Sequence, residues 1–178
     1  MFDEPLPKQA DLRKLAHRQA HFKACLNAAS MPRLAGAVAG GEGTIEVDLH
    51  LGVDEQHHRY LRGTVDCNTQ VVCQRCMQPM PIQVHSDINL GIVWDDDQAR
   101  QLPKSMEPII VGEDELVDLN EVVEDELLLS MPFVSYHEAG ECSGKQRYES
   151  TSAEVRQALE AEKQKNPFNV LKQLKQKD

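Results

Sequence analysis

Apolar and polar residues alternate through most of residues 44–94, and this pattern limits the fold more than any other feature of the chain. In the first run, residues 44–51, every second residue is Ile, Val or Leu, which is typical of a strand with one buried face. Three further runs predict strands at residues 60–66, 70–73 and 81–94. Because the connections between them are short and polar, we expect an antiparallel meander.

The segment before this region, residues 11–29, has apolar residues at the spacing of a helix. In residues 11–29 the apolar positions recur every three or four residues, and basic side chains occupy the other faces. The spacing predicts an amphipathic helix whose basic face either contacts RNA or a partner or is simply solvated. Cys25 lies near the apolar stripe, so it is expected to be a small buried hydrophobe, as is Cys67 in the sheet.

A second helix is predicted at residues 118–130, after a short edge strand at residues 107–111. Asp118 is a suitable N-cap with Glu121 three residues later, and Pro132 follows the last turn. Acidic residues are expected on the outside of this helix, where Glu121 and Asp125 either face solvent or hold a cation. The acidic residues of this helix are Glu121, Glu124, Asp125 and Glu126. Further helices are predicted at residues 152–163 and 166–175.

These elements predict an α+β fold, with an antiparallel β-sheet core and flanking N-terminal, central and C-terminal helices. We divide the 178 residues into three parts. They are an N-terminal basic helical segment at residues 1–35, an α+β core containing the CxxC turn at 36–140, and a polar loop with a helical tail at 141–178.

The formal net charge is −10, and it is unevenly distributed. Residues 1–35 contain six Lys or Arg against three Asp or Glu, whereas residues 87–126 contain two against thirteen. Residues 161–178 are again basic, with five Lys against two acids. A general nucleic-acid binder is basic overall. RNA contact is therefore expected at the two ends or through a protein partner, and the acidic centre suits a basic protein.

The sequence VVCQRCMQPM at residues 71–80 places Cys73 and Cys76 two residues apart, between two predicted strands. Three interpretations are open: half of a tetrahedral zinc site, a redox dithiol, or a structural strand-to-strand turn. A zinc site needs further ligands, for which His137 and Cys142 in the HEAGEC segment are the candidates. A redox thiol normally begins a helix, and the Met-Gln-Pro-Met-Pro that follows Cys76 does not favour one.

The remaining sequence predicts a cytoplasmic, non-enzymatic protein. No stretch approaches the roughly 18 apolar residues of a membrane span, and the N-terminus lacks the pattern of a secretory signal. Five cysteines are an odd number, which argues against a disulfide framework. The chain contains no Ser-His-Asp order, glycine-rich phosphate loop or HExxH motif, so neither an enzyme nor a small-molecule substrate is predicted.

Several motifs together resemble the YceD family, the large ribosomal RNA subunit accumulation proteins, of proteobacterial type. The most specific are CQRC at residues 73–76, EDELLLSMP at 124–132 and NPF at 166–168, and the resemblance covers about residues 31–175. It implies a cytoplasmic role in synthesis, processing or stability of large-subunit ribosomal RNA, with no known catalytic activity. Members from other lineages carry additional cysteine pairs suggestive of a metal site, where this sequence has Cys142 alone.

Two functional hypotheses follow. In the first, the chain binds precursor large-subunit ribosomal RNA or a pre-ribosomal particle, directly or through a protein. Its expected contacts are Arg13, Lys14, Arg18, Lys23, Arg75, Lys172, Lys175 and Lys177. In the second, the acidic residues between 95 and 126 form an adaptor surface that docks a basic ribosomal protein or RNA-processing enzyme. Zinc, held by Cys73, Cys76, His137 and Cys142, is the cofactor that the residues allow.

Overall fold

The computed structural model describes residues 5–112, 116–138 and 141–142. The predicted helices at 152–163 and 166–175 lie outside these residues. The elements in chain order are α1 (Leu12–His17), β1 (His21–Asn27), α2 (Pro32–Ala37), β2 (Gly43–Val53), β3 (Arg59–Val72), β4 (Pro79–Val93), α3 (Asp96–Ala99), β5 (Glu107–Ile110) and α4 (Leu119–Ser130).

The five strands form one sheet in the order β1-β2-β3-β4-β5. The first four pair antiparallel, each with its neighbour in sequence, whereas β5 pairs parallel with β4. A parallel pair needs a crossover connection of about a dozen residues, and residues 94–106, with the short helix α3, provide it. The predicted α+β fold with a sheet meander is therefore confirmed, and the parallel edge strand makes the sheet mixed.

One face of the sheet is buried beneath helices and the other is polar. Helices α1 and α4 pack on the sheet, and α2 packs against α4. The core residues include Leu12, Ala16, Leu34, Ile45, Leu49, Leu61, Val65, Ile88, Leu119, Val123 and Leu127. This two-layer arrangement lets each strand bury alternate side chains, including Cys67, which is buried as predicted. No helix in the described part of the chain is long and apolar enough to span a bilayer.

The predicted helix at residues 11–29 is wrong in its second half. Helix α1 ends at His17, Gln19 adopts a left-handed backbone with φ of 49°, and the chain then forms edge strand β1. Leu51 N donates to Ala20 O at 2.8 Å, which begins the pairing with β2. Long-range pairing overrides the local helical spacing here. The expectation for Cys25 is wrong as well, because its side chain is exposed on the polar face.

The predicted strands at residues 60–66 and 70–73 are one continuous strand, β3, of 14 residues. The polar residues that suggested a break follow the alternation of the sheet. Asn68 and Gln70 are exposed, whereas Thr69 is buried and donates its Oγ1 hydroxyl to Glu42 O at 2.6 Å. One hydrogen bond thus satisfies the polar group on the core face.

Helix α4 begins at the predicted N-cap, since an Asp118 side-chain oxygen accepts from Asn120 N at 2.8 Å. Glu124, however, is 4% exposed rather than on the outside. Its carboxylate accepts from Arg33 N at 2.8 Å and Leu34 N at 3.0 Å, and so caps the N-terminus of α2. Asp125 forms an ion pair with Arg33, with Oδ1 and Nη1 2.5 Å apart.

Candidate metal centre

The CQRC sequence occupies the turn at residues 73–78 between β3 and β4, as predicted. Cys73 N donates to Gln78 O and Met77 N donates to Cys73 O, each at 2.9 Å. Met77 takes a left-handed backbone with φ of 59°, which closes the turn before Pro79 begins β4. The turn buries Cys73 and leaves Cys76 half-buried.

The chain that leaves α4 lies over this turn. Gln74 N donates to Ser135 O at 3.0 Å, and Ser135 is buried. This contact positions His137, whose Nδ1 lies 3.4 Å from Cys76 Sγ. A further turn, in which Glu141 N donates to Glu138 O at 3.2 Å, leads to Cys142. Sequence positions more than sixty residues apart therefore meet at one corner of the sheet.

The four predicted ligands form one cluster, and this is the central observation at the site. Their Cys Sγ and His nitrogen atoms all lie within 4.8 Å of one another. In a tetrahedral zinc site, with Zn–S of about 2.3 Å and Zn–N of about 2.0 Å, ligand atoms are roughly 3.3–3.8 Å apart. The separation between Cys76 and His137 already falls in this range. Three thiols and one imidazole are a donor set that zinc accepts.

The electrostatics of the two turn cysteines differ. Burial raises the pKa of Cys73, but nearby backbone N–H groups, chiefly that of Cys76, and the His137 ring lower it to about 5. Burial and the adjacent Cys142 and Cys73 sulfurs raise the pKa of Cys76. They outweigh the hydrogen bond from the Gln78 N–H, which lowers it. Cys73 is thus the more acidic of the two turn thiols, and binding zinc requires the cysteine ligands to be deprotonated.

A lowered thiol pKa also suits the redox interpretation, but the surroundings of Cys73 do not. A reactive cysteine has to be reached by its substrate, and Cys73 is 0% exposed. A third cysteine and a histidine also converge on the pair, which a simple dithiol does not require. The donor geometry therefore favours metal binding over thiol exchange.

Two aromatic side chains are displayed beside the cluster. Phe133 is 97% exposed and Tyr136 is 48% exposed. The Arg75 guanidinium carbon lies 5.2 Å from the centre of the Tyr136 ring, within the range of a cation–π contact. Arg75 thus extends from the cysteine turn across the neighbouring segment. We name Arg75, Phe133 and Tyr136 the aromatic edge.

The structure does not bring the predicted basic contacts together. Arg13, Lys14 and Arg18 lie on or directly after α1, and Arg13 donates to Gly112 O at 3.1 Å. Lys23 lies on β1 and pairs with Asp48 at 2.7 Å. Because Asp48 is opposite Thr64 in β3, Lys23 is roughly 30 Å along the sheet from Arg75. Three predicted contacts, Lys172, Lys175 and Lys177, lie outside the described residues.

Comparison with known proteins gives a consistent result. The profile of one family, described as Large ribosomal RNA subunit accumulation protein YceD, matches residues 61–175. A curated protein of Haemophilus influenzae with that same name is 34% identical over 174 residues, which cover 97% of this chain and 97% of that protein. No solved structure matches the chain. The family match includes all four residues of the cysteine–histidine cluster.

Proposed function

This chain belongs to the YceD family of large ribosomal RNA subunit accumulation proteins, and from this premise we propose that it promotes the synthesis, processing or stability of large-subunit ribosomal RNA. It acts in the cytoplasm as a binding factor rather than as an enzyme. It recognises precursor RNA or an early large-subunit particle, directly or through a protein.

The family match supports the role in ribosomal RNA, and the convergence of Cys73, Cys76, His137 and Cys142 supports the structural part of this proposal. Zinc bound by these four side chains joins the β3–β4 turn to the segment that follows α4. Two pieces of backbone distant in sequence then behave as one rigid unit, as in other structural zinc sites. The metal has no chemical step to perform. Its role is to hold the aromatic edge in a fixed position.

The aromatic edge is suited to unpaired nucleotides. Single-stranded bases stack on aromatic side chains and on Arg guanidinium planes. Because stacking depends less on positive charge than contact with many phosphates does, an acidic protein can bind RNA in this way. Phe133 supplies an open ring, and Arg75 supplies both a stacking plane and a positive charge. Precursor ribosomal RNA has such unpaired loops and ends before it is packed into the subunit.

Replacing Phe133 with alanine is expected to weaken binding to an unpaired precursor fragment by about tenfold, since a stacked base contributes about 1–3 kcal/mol. Arg75→Ala should weaken binding and reduce its salt dependence. Filter binding over a range of salt concentrations measures both effects. Leu129→Ala and Arg100→Ala, at other exposed positions, are the controls. Unchanged affinity for both test variants would reject the aromatic edge as the RNA contact.

Sedimentation of cell extracts tests the function itself. The protein is expected to travel with large-subunit precursors, and its loss is expected to lower the amount of large-subunit RNA. If it remains at the top of the gradient and the RNA is unchanged, the proposed function fails.

A second function, that of an adaptor that docks a basic protein, is supported by a groove between α4 and β5. Its walls combine the apolar side chains of Ile109, Leu128 and Leu129 with acidic groups, and its volume is about 380 Å³. Burial, followed by the charges of Glu107 and Asp125, raises the pKa of Glu126. A basic segment with apolar side chains relieves this repulsion and covers Leu129, which is 77% exposed. Recovery of a protein partner from RNase-treated extract at low but not high salt favours this function.

A further inference from the structure

A second group of metal-binding side chains lies on the polar face of the sheet. His21 of β1 is directly opposite His50 of β2, and Lys23 is opposite Asp48. Side chains two residues apart on a strand point to the same face. The pairing register therefore places His21, Asp48 and His50 at adjacent positions on one face, at the edge of the sheet.

The contacts within this group converge on one oxygen atom. His21 Nε2 lies 2.6 Å and His50 Nε2 lies 3.2 Å from Asp48 Oδ1. The two imidazole rings stack with their centroids 3.7 Å apart and an angle of 16° between their planes. The other carboxylate oxygen, Oδ2, is held by Lys23 Nζ at 2.7 Å. Lys23 thus orients the carboxylate while leaving Oδ1 directed at the two rings.

We propose that His21, Asp48 and His50 bind a divalent first-row transition-metal ion such as zinc or nickel. Two imidazole nitrogens and one carboxylate oxygen suit such ions, and their ligand atoms already lie within 4.8 Å of one another. Three protein ligands leave coordination positions open to water. The side chains are 39%, 35% and 54% exposed, so the rings have room to turn around an ion.

This site is independent of the cysteine–histidine cluster. His50 is opposite Arg62 in β3, eleven residues before Cys73, so the two sites are roughly 35 Å apart along the strand. Its ligands also differ, because it has no thiolate and is open to solvent. We therefore expect weaker binding than at the cluster. A bound ion connects edge strand β1 to β2, and so stabilises the edge of the sheet.

Nuclear magnetic resonance of the histidine rings tests the site on the wild-type full chain, and because it observes each ring separately it does not depend on zinc at the cysteine cluster. Added Zn²⁺ is expected to shift the ring nitrogen signals of His21 and His50 and to leave those of His85 unchanged. His85 is the matched internal control, since it also lies on the polar face and contacts a carboxylate, Asp66, at 2.8 Å. Signals that do not shift, or shift equally in all three rings, would overturn the proposal.

Calorimetric titration with Zn²⁺ and with Ni²⁺ gives a second measurement. One further equivalent should bind, and His21→Ala, His50→Ala or Asp48→Asn should each weaken it at least tenfold. His85→Ala should retain the wild-type affinity, and circular dichroism checks that each variant is folded. Absence of the further equivalent in the wild type, or equal affinities in all variants, would contradict the site.

Discussion

Replacing Cys76 with serine is expected to lower the affinity for zinc by more than about 100-fold, because even changes to the groups around a metal ligand cost 10–100-fold. A hundredfold loss corresponds to about 2.7 kcal/mol in the free energy of unfolding. For a chain of this size the melting temperature should fall by about 5–10 °C. Cys76 is preferable to Cys73 for this test, because Cys73 is fully buried and its replacement also disturbs packing.

Metal analysis and thermal unfolding of purified protein measure these effects. Cys25→Ser is the matched control, since Cys25 is an exposed cysteine outside the cluster. It should keep one tightly bound zinc and the wild-type melting temperature. A chelator should lower the wild-type melting temperature at least as far as Cys76→Ser does, because it removes the metal altogether. Wild-type protein that carries no zinc, or a Cys76→Ser variant that binds zinc as tightly as the wild type, would leave the CQRC turn as a hairpin or a dithiol.

Glu124→Ala is expected to destabilise the fold by about 3 kcal/mol. The change removes the acceptor for Arg33 N and Leu34 N at the start of α2 and for the Arg33 guanidinium. The buried Leu34 N–H, left without a partner, costs about 1–3 kcal/mol, and the part-buried Arg33 N–H adds to this. Urea unfolding followed by circular dichroism measures the difference. Glu121→Ala is the control, because Glu121 is exposed on the same helix and should change stability little.

The effect of Glu124 should depend on pH. Burial raises the pKa of Glu124, but hydrogen bonds from Leu34 N and from Arg33 outweigh it and leave the pKa below the usual 4.5. A carboxyl group whose pKa is lower in the folded state stabilises the fold above its unfolded pKa. This contribution is lost as the pH falls through the folded value. The wild type and Glu124→Ala should therefore differ most near neutral pH and converge in acid. A difference that is constant with pH would contradict this origin.

Local patterns were sufficient for most of the sheet and for α4. Alternation identified β2 and β4 because burying one face of a strand requires every second residue to be apolar. The cap at Asp118 is also local, since donor and acceptor are two residues apart. The N-terminal region shows the limit of such patterns. Residues 21–27 fit a helical stripe, yet they pair with β2, and the gain from joining the sheet exceeds a weak helical preference.

Residue types in the sequence determined what the two candidate sites can bind, and the tertiary structure decided which residues meet. Cys73 and Cys76 were recognisable as half of a zinc site, and His137 and Cys142 as donors that suit the other half. Only the packing of the segment after α4 over the turn places the four together. The His21, Asp48 and His50 group follows from the register of β1 against β2. Such contacts join residues distant in sequence, so no local spacing specifies them.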